Sequence, residues 1–173
     1  MPNAVQMIKQ DHKKVEGLFQ KYKKTKGQDA KRRIAEQAMD QLEIHAKLEE
    51  EIFYPAAKRE LEDGEIIEEA LKEHSMVKDL IEELRAMESE DESFEEKWSE
   101  LVENVQHHVQ EEENELLPQV QDTDIDLAQC GEEMQERKEE LMEESESGTA
   151  ARSGAARSAK SRSGRSSGRA ARH

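Results

Sequence analysis

The sequence predicts an all-α protein: an antiparallel up-and-down four-helix bundle, then a short fifth helix and a disordered basic tail. Three observations carry that expectation. Apolar residues recur at helical spacing through most of roughly the first 120 positions. Ala, Glu, Lys, Leu and Gln, all good helix formers, dominate there, while Gly and Pro are scarce. A pattern of histidine, glutamate and proline occurs twice, the copies 62–63 residues apart, which divides the bundle into two similar hairpins. No stretch alternates apolar and polar residues for long, so no strand is expected.

The first helix runs from about Asn3 to Lys24 on a stripe of Val5, Ile8, Val15, Phe19 and Tyr22, with His12 in phase. Lys26 to Asp29 reads as a turn carrying the next N-cap. The second helix spans about Ala30 to Tyr54 on Ile34, Ala38, Leu42, Ile52 and Phe53, with His45 and Glu49 on the same face. Pro55 is expected to bend or break it, with a short helical piece continuing to Leu61 before Asp63-Gly64 stops the chain. The third helix covers about Glu65 to Met87 on Ile67, Leu71, Val77, Ile81 and Leu84, with His74 in phase. The fourth covers about Phe94 to Leu117 on Trp98, Leu101, Val105, Val109 and Leu116, with His108 and Glu112 in phase, and Pro118 is expected to end it. A fifth helix over 125 to about 144 would dock through Ile125, Met134, Leu141 and Met142.

One domain is expected over residues 1–145 and a disordered tail over 146–173. From Gly148 onward no apolar side chain is larger than Ala, so burial cannot offset the cost of ordering the chain. The tail from Gly148 holds six Arg, one Lys and no acid, leaving −23 on the rest of a chain whose net charge is −16. The acidic body repels nucleic acid and favours cations, whereas the tail suits a weak, non-specific nucleic-acid or acidic partner. Cys130 is the single cysteine, which excludes an internal disulfide and a cysteine-based metal site. No apolar run approaches the ~18 residues of a membrane span. Met1-Pro2-Asn3 leads straight into an amphipathic segment, so a soluble cytoplasmic protein is expected.

The chemistry lies in the repeat. His12 is followed by His45-x-x-x-Glu49 with Pro55 ten residues after His45; His74 is followed by His108-x-x-x-Glu112 with Pro118 ten residues after His108. Positions i and i+4 share a helix face, so each pair projects together into the bundle. A lone inward histidine is usually a satisfied core residue, but six imidazoles and carboxylates in duplicated register are costly to bury unless something pairs with them all. A cation would. Nitrogen with carboxylate suits iron, manganese or zinc better than calcium. Two metals sharing Glu49 and Glu112 would use every ligand and leave positions open; one six-coordinate metal would use them all and be inert. His107 and Glu111 fall off the apolar phase and are assigned to the surface. Asp11, Glu50, Glu73 and Glu113 adjoin the candidates as solvated or supporting groups. Tyr54 and Trp98 are assigned to the core, and Tyr22 is the tyrosine considered as a donor to the site.

These residues resemble the hemerythrin-like, or HHE cation-binding, family. The resemblance covers roughly residues 3–142 and rests on QDHKKVEGLF with His12, HAKLEEEIFYP with His45 and Glu49, KEHSMVKDLI with His74, and HHVQEEENELLP with His108 and Glu112. It implies a four-helix bundle around a non-haem di-iron centre held by those six residues. It further implies a small diatomic ligand or peroxide, in a carrier, sensor or stress-response role. Oxygen-carrying members add a His-x-x-x-His pair on the third helix and a His-x4-Asp pair on the fourth. Here Lys78 stands four residues after His74 and Glu113 five after His108. One nitrogen is thereby lost, which weighs against reversible oxygen carriage and leaves sensing, peroxide chemistry or iron handling open. The Glu-x-x-His of ferritin-like bundles and the His-Glu-x-x-His of zinc proteases are both absent. A peroxide-consuming enzyme at the same metals and a nucleic-acid-associated protein acting through its tail are the competing functions.

Overall fold

The computed structural model describes residues 1–88 and 90–162, with side chains through Gly148. Helix α1 spans Ala4–Lys24. Asn3 caps it: its side chain accepts from the Gln6 backbone N–H at 2.9 Å, and the Gln6 side chain accepts from the Asn3 N–H at 3.0 Å. Gly27, at φ +92°, makes the turn that the Cβ of other residues would disfavour, and α2 follows over Gln28–Leu48 with no side-chain cap.

At Pro55 the chain is not broken, and the short helical piece expected up to Leu61 follows. The helix widens into a π-helical turn over Glu49–Phe53 and re-enters α geometry as α3, Tyr54–Glu60, with the Tyr54 N–H bonded to the Glu49 carbonyl. The second half repeats this. After α4 (Glu65–Ala86) and α5 (Glu92–Glu111) comes a π turn over Glu112–Leu116, then α6 over Leu117–Gln121, so Pro118 does not end the fourth helix either. Each proline lies in the first turn of the resumed helix, where its missing N–H costs least. The widened turn absorbs the ring that would clash with the carbonyl four residues back.

α1 packs on α2 and α4 on α5, and α2 meets α4 across the hairpins. Arg85 joins them, donating to Asp40 and Glu43 at 2.8 Å each, while Arg32 donates to the Met87 carbonyl at 2.9 Å. The apolar core occupies the turn-distal half of the site helices. Phe19 packs edge-on to Trp98 with ring centres 5.6 Å apart, and Tyr22 lies 4.6 Å from the same ring. Leu71 is exposed rather than buried, because Ala70 takes the inward position beside Ile67 and His74.

Helix α7 runs from Leu127 to Arg162, well past Gly148, where ordered structure was expected to stop. Ala and Arg favour helix intrinsically, without an apolar face to bury. Residues 163–173 of the expected disordered tail lie outside the described residues. By contacts, the chain divides into compact units after Lys138. Within the first unit, α7 approaches the start of α1 so closely that a Cβ on Gly131 would lie 2.8 Å from the Pro2 carbonyl oxygen. Cys130 and Met134 are buried there, whereas Met142 is exposed. No helix of the described residues is long and apolar enough to cross a membrane.

Candidate metal centre

All six sequence-predicted ligands are brought together, and each is at most 7% exposed. α1 supplies His12, α2 supplies His45, α4 supplies His74 and α5 supplies His108. Glu49 and Glu112 each open a π turn. The donor atoms fall into two overlapping groups: His12, His45, Glu49 and Glu112, and then Glu49, His74 and His108. Glu49 belongs to both. Its Oε1 lies 3.0 Å from His45 Nε2 and its Oε2 lies 3.0 Å from His74 Nε2. Glu112 Oε2 likewise faces His12 Nε2 at 3.1 Å and His108 Nε2 at 3.5 Å.

These short distances are not a satisfied hydrogen-bond network. His12 Nε2, His45 Nε2, Glu49 Oε1, His74 Nδ1 and Glu112 Oε2 are buried without an aligned partner. His74 Nε2 and His108 Nε2 face each other at 3.2 Å. Nitrogens that share a metal at ~2.0–2.1 Å sit about 3 Å apart, so the donor set fits a cation.

The opposite ring nitrogens of His12, His45 and His108 are held in a crossed pattern. The acid before each lone histidine serves the paired histidine of its own half: Asp11 Oδ2 lies 3.3 Å from His45 Nδ1, and Glu73 Oε1 lies 3.1 Å from His108 Nδ1. The acid after Glu112 serves the lone histidine of the other half, with Glu113 Oε1 2.8 Å from His12 Nδ1, whereas Glu50 Oε1, after Glu49, stays 3.9 Å from His74 Nδ1 and does not bond it. Such partners fix which nitrogen points at a metal. His107 is on the surface, 65% exposed, where it pairs with Glu111.

Without a cation, protons do the balancing. Burial pushes the His45 imidazolium pKa down, but Glu49, Asp11 and Glu112 outweigh it and hold it well above the ordinary value. His108 is raised in the same way, burial being outweighed by Glu73, Glu112 and Glu49. Burial pushes the Glu49 carboxyl up, yet His45 and His74 bring it well below the usual range. The cost of burying the carboxylates is thus met by imidazolium.

Tyr54, assigned to the core from sequence, is in the site. Its hydroxyl lies 2.9 Å from Glu49 Oε2 and 2.9 Å from Glu112 Oε1, with His74 Nε2 at 3.2 Å. One proton serves two carboxylates, so it can be donated to only one at a time. Burial and both glutamates push the phenol well above its ordinary pKa. Tyr22 is remote from the site and donates to Glu95 at 3.0 Å. The π turn explains the miss: in an α-helix, residue 54 would be out of phase with Glu49, and the wider turn rotates it back. The corresponding residue in the second copy is Leu117, so the repeat itself held no hint of a polar group there.

A cavity of about 40 Å³ touches all four histidines and is otherwise walled mainly by apolar side chains, among them Val15, Leu42, Ile81 and Val105.

The model of the hemerythrin HHE cation binding domain matches residues 3–120. An uncharacterized hemerythrin-like protein of Schizosaccharomyces pombe is 31% identical over 113 residues, 64% of this chain and 56% of that protein. An uncharacterized protein of Mycobacterium tuberculosis is 27% identical over 143 residues, 80% of this chain and 87% of that one. A DNA nickase of Nostoc is 29% identical over 115 residues, which is 66% of this chain but 32% of the nickase. Among solved structures, a hemerythrin HHE cation binding domain-containing protein from Mycobacterium kansasii superimposes with a TM-score of 0.71 at 26% identity, covering 82% of this chain and 88% of that one.

Proposed function

The chain belongs to the hemerythrin HHE cation-binding family, and from that premise we propose that its bundle core holds two non-haem irons and takes a small ligand: O2, NO or peroxide. Four buried atoms that face the site without an aligned hydrogen-bond partner, His12 Nε2, His45 Nε2, Glu49 Oε1 and Glu112 Oε2, carry this reading, since buried polar atoms are ordinarily hydrogen-bonded. Two overlapping donor groups support two cations rather than one six-coordinate ion. His12, His45 and Glu112 would hold the first, His74 and His108 the second, with Glu49 shared. When bound, the iron pair supplies one-electron redox chemistry toward such ligands. The chain's residues do the rest. The apolar cavity beside the histidines is large enough for a diatomic molecule and poor in partners for water. Tyr54 holds a proton between Glu49 and Glu112, on the side of the second position. Manganese or zinc would fit the same donors, so metal identity is a matter for the assay.

Anaerobic reconstitution with ferrous iron tests the reading, with iron counted per chain and absorbance recorded before and after admission of air. Two irons with a new charge-transfer band are expected. One metal with no colour change would reject it.

A peroxide-consuming activity at the same centre is the second reading. Tyr54 favours it, because its phenol is an acid–base group that is not one of the six ligands. Oxygen release from peroxide that requires iron and is lost in Tyr54→Phe would establish it. The basic residues beyond Gly148 support salt-sensitive contact with phosphate backbones, and the nickase relative makes DNA the probe of choice. Retention on DNA at low salt that disappears on truncation at Gly148 is the expected result.

A further inference from the structure

The family match ends at residue 120, yet a side chain from α7 reaches the candidate metal centre. Lys138 Nζ lies 2.5 Å from Asp11 Oδ1, and the other oxygen of that carboxylate lies 3.3 Å from His45 Nδ1. Asp11 is 7% exposed, so it is fixed between an ammonium and an imidazole rather than solvated. The stretch of α7 that brings Lys138, from Leu127 to Lys138, belongs to the first unit. Gly131 lets its backbone meet Pro2 and Ala4, and Arg137 Nε donates to Glu51 Oε2 at 2.7 Å, inside the first π turn.

In the second half-site, Glu73, the counterpart of Asp11, holds His108 Nδ1 at 3.1 Å but faces His107 Nε2 at 3.7 Å on its other side, with no lysine on it among the described residues. Lys78 does clamp Glu50, at 2.8 Å, but that carboxylate stays 3.9 Å from His74 Nδ1, beyond hydrogen-bond reach. Of the two acids that precede a lone histidine, Asp11 carries an ammonium and Glu73, among the described residues, does not. A buried carboxylate pinned by a fixed ammonium keeps one geometry, whereas a carboxylate beside an exposed imidazole does not have that restraint.

We propose that Lys138 is a positioning residue for the first half-site: by clamping Asp11 beside Nδ1 of His45, it fixes the orientation of that ring so that Nε2 faces the cation. This goes beyond the ligand set and deepens the metal-binding reading on which it rests. The fifth helix is then part of the centre rather than a cover for the bundle.

The test compares wild type with Lys138→Gln and Lys138→Arg in the full chain. In metal-free protein, the imidazole N–H spectrum of ¹⁵N-histidine-labelled samples should show a slowly exchanging His45 Nδ1–H. That signal should vanish in Lys138→Gln, persist in Lys138→Arg, and leave the His108 signal unmoved. In ferrous titrations, one of two binding steps should weaken about 10–100-fold in Lys138→Gln, the usual cost of losing such a support, and recover in Lys138→Arg. An unchanged His45 signal in Lys138→Gln would overturn the proposal, as would equal weakening of both steps. The metal-free spectrum does not depend on iron binding, so failure of the metal reading and failure of this one are separable. Should Lys138→Gln lose helical circular dichroism, the Asp11→Asn, Lys138→Gln protein leaves no lone buried charge and carries the same comparison.

Discussion

Glu49 and Tyr54 show how much turns on single residues. Glu49 presents one oxygen to each donor group, so its loss should act on both positions, while each lone histidine serves one. The expected iron content is therefore none for Glu49→Ala and one per chain for His12→Ala or His74→Ala, read by colorimetric iron analysis on folded protein. Two irons retained in Glu49→Ala would remove it from the shared role. Tyr54→Phe removes a hydroxyl but no proposed ligand. It should keep both irons and shift the absorbance of the air-exposed centre, because the proton between Glu49 and Glu112 is gone. His45 and Glu49 were readable from residue type and spacing. Tyr54 was not, because its place depends on a local change of helical pitch.

At the level of elements, the π turns and α7 matter most. Both π turns start at a candidate ligand glutamate and lead into a proline, so the widened turn is coupled to the carboxylate it positions. π turns are rare and concentrate at functional sites. The proline spacing was visible in the sequence and read as a bend or break at Pro55 and an end at Pro118, not as a widened turn. The seat of α7 depends on Gly131, where an added Cβ would meet backbone that cannot move aside cheaply. Gly131→Ala should cost about 1–3 kcal/mol, as overpacking does, measured by urea unfolding. In the opposite half of the bundle, Leu101 is fully buried against the aromatic cluster, and Leu101→Ala should cost about 2–5 kcal/mol. That variant should leave metal content unchanged, since Leu101 belongs to the apolar cluster, seven residues before His108 along α5.

For the whole molecule, the site trades folding stability against the cation. In metal-free protein, His45 and His108 titrate above their unfolded value of about 6.5. Their contribution is complete below that pH and is lost as pH rises through the raised values. Glu49 and Asp11 titrate below the ordinary carboxylate range, so their contribution is present above about pH 4 and is lost as pH falls. Thermal unfolding of metal-free protein should therefore show falling Tm on both sides of a mildly acidic optimum. A bound cation needs neutral imidazole, so the gain in Tm on loading should grow as pH rises above 6.5. A gain independent of pH would mean that the cation does not replace these protons. The sequence by itself determined the helical class, the two hairpins and the six inward donors, because helical periodicity and residue chemistry are local and the repeat wrote them twice. Only the tertiary structure decided which acid supports which histidine, that Tyr54 joins the site and Tyr22 does not, and that Lys138 reaches Asp11. Those relations depend on the pitch of two turns and on a contact between residues 127 positions apart, neither of which leaves a period in the chain.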